Sequence, residues 1–424
     1  MIHFRKIFQG DTTIWIIYFM LCMVSLVEVY SAGSYFSYGN GNFMAPLFKQ
    51  IVFLSVGTVL TVAIHNVPCR FFKILPIFLW PLTVVLLIIA LVSGSEINDT
   101  GRWIMLPGGY TFQPSELGKW VVIVTVALIL GSMQREDGAD RKAMKYILIF
   151  SGTVCTLIFS ENLSTAALLF AVVCAMMVIG RIPIVQLLKL AAGLVLGMFL
   201  IVGISWLSPK DSVLHEKVFH RVETWSNRLE SFKGDHSENK DIKGTDAKQE
   251  IEVHDDTQAT FAKIAIASSN YGLGKMPGNS VERDYLTHAY SDFIFAIIIE
   301  EMGLWGSGLL VLFYMTLLFR AGRIASRCER NFPAFLIMGL AIMLVSQACI
   351  NMMVAVGLFP VTGQPLPLIS RGGTSTLITC MYFGMMLSVS RYAKKKKTIE
   401  KSDEEDHPTD PSVEMAFSSN EGLS

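Results

Sequence analysis

Charge is what this sequence has least of. Only 17% of its 424 residues are Asp, Glu, Lys or Arg, against about a quarter in a soluble chain of ordinary composition. The 35 basic and 35 acidic residues cancel to a formal net charge of zero. There is no global basic field to draw in nucleic acid, so no nucleic-acid partner is expected. The seven cysteines, Cys22, Cys69, Cys155, Cys174, Cys328, Cys349 and Cys380, contain no CxxC pair, and none lies in the long polar loop. A disulfide framework or a zinc site is therefore not expected. His215, His220, His236 and His254 lack metal-ligand spacing. No P-loop is present, so nothing argues for nucleotide-driven transport. No soluble second domain and no internal repeat is evident.

What the chain has is apolar sequence in long blocks. Hydrophobic residues make up 52% and the mean hydropathy is +0.48. A bilayer core needs roughly 20 mostly apolar residues per helical span. Lipid cannot satisfy backbone N–H and C=O groups, so a spanning chain forms helices or a closed barrel. The blocks are long and lack period-2 alternation, which excludes the barrel. An all-α integral membrane protein of about ten transmembrane helices is expected. The spans are read at 12–32, 48–67, 74–92, 117–133, 146–159, 165–179, 187–207, 294–318, 333–356 and 374–390. The fifth and sixth are short and form a tight hairpin. Residues 1–11 are polar and the first block is full length, which reads as a retained span and not a cleaved signal peptide.

Orientation follows from the Lys/Arg bias. One set of helix ends holds Arg5, Lys6, Arg70, Lys73, Arg135, Arg141, Lys142, Lys145 and Arg181, then Arg320, Arg323, Arg327, Arg330, Arg391 and the run Lys394 to Lys397. The opposite short loops hold little beyond Lys49, Arg102 and Arg371. Both termini are expected in the cytoplasm of a multi-pass protein. The division is then a cytoplasmic N-terminus at 1–11, a membrane domain at 12–392, and a cytoplasmic disordered tail at 393–424. Within the domain, 208–290 forms one large outward-facing loop. Its length is far beyond an ordinary connection. Long outer loops are usually functional.

Several polar groups stand where they could carry chemistry. Asp292, in Ser291-Asp292-Phe293-Ile294-Phe295, sits at the outer mouth of the eighth span. Partial burial would raise a carboxylate's pKa and suit it to general-base work. The competing role is a helix N-cap, where an acid is also favoured. Glu300 and Glu301 follow two turns deeper. They face a cavity or a partner cation, or else lie at the interface. Gln113-Pro114-Ser115-Glu116 with Lys119 opens the fourth span. Glu116 and Lys119 can pair at i and i+3, as a structural tie or as the lining of a polar groove. Trp103 fits an interfacial anchor. Glu28 lies within the first span as a polar contact between helices. The last outer loop, Gly357 to Ser375, holds three prolines and four glycines. It cannot be one helix and can persist at membrane depth only against protein or a cavity. Arg371 within it could grip a phosphate or snorkel to the interface.

These motifs resemble those of the SEDS proteins (FtsW, RodA and the sporulation homologue). The resemblance rests on Tyr30-Ser31-Ala32, on Gln113-Pro114-Ser115-Glu116 with Lys119, and on Ser291-Asp292-Phe293-Ile294-Phe295-Ala296 with Glu300-Glu301. The loop from Pro360 to Ser375 adds to it. It covers about 11–392. It implies ten spans, a long outer loop between the seventh and eighth, and polymerisation of lipid II into glycan strands. It also implies a class B penicillin-binding protein (an FtsI-like transpeptidase) as partner, and other division proteins. The family's essential acid maps onto Asp292 and its tryptophan before the fourth span onto Trp103. Its loop arginine and tryptophan map onto Arg221 and Trp225. Three departures stand out: Thr287-His288-Ala289-Tyr290 replaces Pro-Glu-Ala-His, Ser160-Glu161-Asn162 displaces an acid by one position, and Arg371 replaces a tyrosine before Gly-Gly.

The expected chemistry is glycosyl transfer, with Asp292 as base. Trp103, Glu116, Lys119, Arg221, Glu300 and Arg371 are expected substrate contacts, Lys119 and Arg371 for the pyrophosphate. No cofactor is required. A divalent cation is compatible with the reaction, though no ligand set is evident. The rivals are a lipid II flippase, a RodA-like elongation polymerase and a non-catalytic division scaffold. The motif wording and the acidic tail favour the division branch, in the bacterial inner membrane at the septum.

Overall fold

A computed structural model describes residues 8–38, 44–93, 95–97, 100–106, 110–136, 138–193, 255–269, 272–277, 280, 293–370 and 372–406. Twelve helices and five short strands occur among them. They are α1 (Thr12–Tyr38), α2 (Ala45–Asn66), α3 (Cys69–Phe72), α4 (Leu75–Ser93), α5 (Pro114–Ser132), α6 (Arg141–Glu161) and α7 (Leu163–Ile179). There follow α8 (Ile184–Gly193), α9 (Asp255–Ser268), α10 (Ile294–Ala325), α11 (Asn331–Ala355) and α12 (Gly373–Asp406). The strands are β1 (Ser95–Ile97), β2 (Thr100–Leu106), β3 (Tyr110–Phe112), β4 (Gln134–Arg135) and β5 (Gly138–Ala139).

Helices stand at nine of the ten expected segments and at the start of the seventh, of which residues 194–207 lie outside the described residues. Seven are long and apolar enough to cross a membrane: α1, α2, α3 with α4, α5, α6, α10 and α11. The α7 and α8 helices are apolar but shorter. The surface of the bundle is apolar as well as its core. Phe78 is 70% exposed, Val92 80% and Trp305 76%. A water-soluble protein carrying so much exposed apolar surface would aggregate. Facing lipid, the same side chains are in their preferred solvent.

The most deeply buried span is α5. Its side chains from Trp120 to Ala127 are sealed almost without interruption, and it packs on α4, α6 and α11. Close approach between helices uses small residues, as is usual where lipid removes the hydrophobic drive. Gly57 on α2 lies so near α12 that a Cβ there would stand 2.5 Å from the Cys380 Sγ. Thr61 on the same face donates to the Cys380 carbonyl at 2.9 Å. On the basic face, Asp11 caps α1 by accepting from the Thr13 N–H at 2.9 Å. It also pairs with Arg320 on α10 at 2.7 Å, and its own N–H donates to Ser390 on α12 at 2.9 Å.

Four expectations need correction. The outer loop before the fourth span, which carries no helical or strand pattern and is expected to be irregular, instead forms a small antiparallel sheet of β1, β2 and β3, with Ile104 opposite Phe112 and Trp103 opposite Ser95. The eighth span is not one helix, because Gly303 (φ 67°, ψ −170°) breaks it. The tail is helical as far as Asp406. The stretch 233–256, whose charge and few apolar residues predict mobility, overlaps α9, a helix from Asp255. Most of the large loop and the end of the tail lie outside the described residues.

Candidate active site at the outer helix ends

The site is organised by the non-helical segment between α11 and α12. Its sequence breaks helix repeatedly, so its carbonyls need partners from elsewhere. Bare carbonyls at this depth would each cost several kcal/mol. Four are met by side chains from three helices. Asn351 donates to the Gln364 carbonyl at 2.7 Å and Gln347 to that of Pro365 at 2.9 Å. Tyr314 donates to the Pro367 carbonyl at 2.6 Å and Ser25 to that of Ile369 at 3.0 Å. Gln50 donates to the Ser25 hydroxyl at 2.8 Å, and Gln364 reaches Thr165 on the first turn of α7 at 2.5 Å. The segment is buried from Thr362 through Ser370 apart from partly covered positions. Leu368 is held at φ 69°. Such strain persists in a bulky residue only where the surroundings over-determine it, and it concentrates at functional sites.

Beneath this segment lies a buried ion pair. Pro114 begins α5 and presents Glu116 and Lys119 one turn apart on one face. The Lys119 ammonium is 2.7 Å from the Glu116 carboxylate, with side chains 1% and 7% exposed. It donates also to the Gln347 Oε1 at 2.9 Å. Since Gln347 holds the Pro365 carbonyl, the pair supports the irregular segment from below. Among the described residues the pair makes the contacts of a structural tie.

The third component is the break in α10. Its N-cap is Phe293, with no side-chain cap bond. Ten residues on, Gly303 turns the backbone into a region that L side chains avoid, which leaves carbonyls without helical donors. A glycine-rich strip supplies replacements: the Lys275 N–H donates to the Glu300 carbonyl and the Met276 N–H to that of Glu301, both at 2.9 Å. Gly274 and Gly303 lie so close that a Cβ on either would collide with the other segment's backbone. The Glu300 side chain is fully buried. It pairs with Lys275 at 2.8 Å and accepts from Ser280 at 2.5 Å and Ser268 at 3.4 Å. Glu301 accepts from Ser31 on α1. Glu28, one turn away on α1, is buried, and neither of its oxygens has a hydrogen-bond partner among the described residues. The partner-cation reading of Glu300 is thus the one seen.

A match to the family described as FTSW_RODA_SPOVE, cell cycle protein, runs from residue 11 to residue 395. The chain belongs to this family. A probable peptidoglycan glycosyltransferase FtsW of Nitrosococcus halophilus is 28% identical over 362 residues, covering 84% of this chain and 85% of that protein. Another from Coxiella burnetii is 28% identical over 390 residues, 89% of this chain and 95% of that one. A solved chain from work on coordination of polymerization and crosslinking by a peptidoglycan synthase complex shares the fold. Its TM-score is 0.68 at 24% identity, over 91% of this chain and 98% of that one. The rod shape determining protein RodA of Thermus thermophilus gives 0.58 at 22% identity, over 90% and 97%. The architecture is the SEDS fold.

Within this SEDS scaffold the expected site residues divide. Asp292, Arg221, Trp225 and Arg371 lie outside the described residues. Of their chain neighbours, Phe293 is the N-cap of α10 and Gly372 immediately precedes α12. Trp103 is half-buried on β2. Glu116 and Lys119 are joined to one another, and Glu300 is joined to Lys275. Residues missed by sequence reasoning are Ser25, Lys275, Ser280, Gln347, Asn351 and Gln364. Two had a readable signal: Gln347 and Asn351 are amides at i and i+4 in an otherwise apolar span, hence on one face.

Proposed function

We propose that this chain is a peptidoglycan glycosyltransferase that polymerises lipid II into glycan strands during septal wall synthesis. The observation that carries the reading is the convergence at one end of the bundle. An over-determined irregular segment, a broken helix and a buried ion pair are linked through Ser25, Gln347 and Tyr314, the last on the helix whose N-cap, Phe293, directly follows Asp292 in the sequence. Family membership over almost the whole chain supports it.

The step is a displacement at the anomeric carbon of the donor MurNAc. The acceptor GlcNAc 4-hydroxyl forms the new C–O bond, and its proton passes to the Asp292 carboxylate. The bond from the anomeric carbon to the pyrophosphate breaks, and undecaprenyl pyrophosphate leaves with the electron pair. A good leaving group reduces the protein's task to positioning and charge stabilisation. Arg371 and Arg221 are assigned to the pyrophosphate, and Trp103 to the sugar face. Glu116, Lys119 and Glu300 are assigned to holding the segments that present those groups, because their own charges are already matched inside the protein. A divalent cation is compatible with the pyrophosphate.

The protein is read as an inner-membrane component with both termini in the cytoplasm. Its partner is a class B penicillin-binding protein at the septum, alongside other division proteins. The test is polymerisation of purified lipid II by the purified pair, wild type against Asp292→Asn. Loss of polymer with retained partner binding is expected. Intact polymerisation would remove Asp292 from the role. Translocation of lipid II in proteoliposomes without any polymer would replace the reading with a flippase.

A further inference from the structure

A second cavity, of about 420 Å³, lies at the opposite end of the bundle. It opens at the N-terminus of α11, whereas the irregular segment follows that helix's C-terminus. The helix has 25 residues, which separates the two by about 37 Å. Arg70, Lys73 and Arg330 line it, with Phe332 and Tyr392. Arg70 comes from α3, Lys73 from the turn after it, and Arg330 is the N-cap of α11. None of the three cations has a carboxylate partner among the described residues. The Lys73 ammonium lies over the Phe332 ring at 5.4 Å, and the Arg70 guanidinium over Phe71 at 5.0 Å. The N-terminus of α11 has no side-chain cap, so its positive dipole end adds to the same field.

Three cations around one cavity, without a carboxylate partner among the described residues, call for an anion. The depth of the cavity says what carries it. It lies where the spans Leu47–Asn66, Cys69–Val92 and Asn331–Ala355 begin or end, which is the headgroup level. Phe71 and Ile74 beside it are exposed at 45% and 47%. A soluble anion would gain nothing from these apolar neighbours, whereas a lipid would lay its acyl chains along them. We propose that Arg70, Lys73 and Arg330 form a binding site for the phosphate headgroup of an anionic glycerophospholipid on the basic face of the protein. A basic pocket between helices on the cytoplasmic side is a recognised physical form of such sites. Arg suits the phosphate by paired N–H donors and Lys by point charge. The site is independent of the glycosyl-transfer reading, since it shares no residue with it.

The test titrates the purified full-length protein with phosphatidylglycerol and, separately, phosphatidylcholine, counting bound lipid by native mass spectrometry. Phosphatidylglycerol is expected to bind in preference. A basic residue near an anionic headgroup contributes roughly fivefold in affinity. Arg70→Gln with Lys73→Gln and Arg330→Gln should therefore weaken phosphatidylglycerol about a hundredfold if the three add. The matched triple Arg141→Gln, Lys142→Gln and Lys145→Gln, on the same face outside the cavity, should leave it within about twofold. Should the first triple fail to fold, Lys73→Gln alone should cost roughly fivefold and Lys73→Arg little. Equal losses in the two triples, or no loss in the first, would overturn the site. Complete displacement of the lipid by inorganic phosphate would also overturn it, in favour of a soluble anion.

Discussion

Replacing Lys119 by methionine would strand the Glu116 carboxylate in the centre of the bundle. The pair is 2.7 Å apart, with side chains 1% and 7% exposed, so solvent offers no substitute for the lost ammonium. Breaking one partner of a buried ion pair costs about 3–5 kcal/mol. The Gln347 Oε1 would lose its donor at the same time, a loss contained within that range. Removing both charges, with Glu116→Gln and Lys119→Met, leaves no uncompensated charge and should cost about 1 kcal/mol or less. The double-mutant cycle should then show coupling of at least about 2 kcal/mol. Unfolding in mixed micelles by denaturing detergent measures all four proteins. The double variant should recover the fold without recovering full polymerisation, because Gln347 is no longer tensioned against the Pro365 carbonyl. A Lys119→Met cost under about 1 kcal/mol, or a double variant no better than the single, would refute the placement of two buried charges.

Gly303→Ala should be destabilised by at least about 1–2 kcal/mol, the cost of a left-handed L residue, and by more through the clash with Gly272; detergent unfolding measures it. Glu300→Gln should keep the Ser280 contact but weaken the hold on Lys275, lowering polymerisation turnover more than substrate affinity, and separate turnover and affinity measurements would show the split. Acid should loosen the start of α6. The Lys142 N–H and the nearby Arg135 hold the Asp140 carboxyl below its ordinary 3.8. Its contribution is therefore complete above that value and fades as pH falls through the lower folded value, which hydrogen exchange at the Lys142 amide would follow. Burial pushes the Cys328 thiol, between α10 and α11, up to about 11. Maleimide labelling near neutral pH should be slow there and should quicken as pH rises.

Most of the helices were legible because they are apolar over a bilayer's length, α7 and α8 being shorter. Hydropathy is a sum over many residues and tolerates local error. The burial of the last outer loop was legible for a different reason. Its prolines and glycines exclude a helix, and bilayer physics then allows only burial against protein. The break at Gly303 was not legible. A glycine in an apolar run serves equally as a helix-packing contact, and only the facing Gly274 strip, distant in sequence, decides between them. The sheet at 95–112 was missed because strands of three and seven residues carry too little alternation to register. For Glu116 and Lys119 the pairing was legible but not its purpose. Spacing places two charges on one face, whereas the third member, Gln347, comes from a helix more than 200 residues away.

The distribution of these contacts bears on where the outer face can move. The carbonyls at 364, 365, 367 and 369 are held by Ser25, Tyr314, Gln347 and Asn351 on three different helices. Shifting the segment as a unit would break all four bonds in a medium that offers no replacement partners. It is therefore the rigid wall of the site. The strip that closes the break in α10 is held differently. Its Lys275 side chain is 27% exposed, so water can compete for that ammonium. Its ties to the helix among the described residues include two backbone hydrogen bonds, the close approach of Gly274 to Gly303 and contacts to Glu300. The chain continues from this strip through Ser280 towards Asp292. Of the two ion pairs, Lys275–Glu300 is the one that water can weaken, because the Glu116–Lys119 pair is sealed.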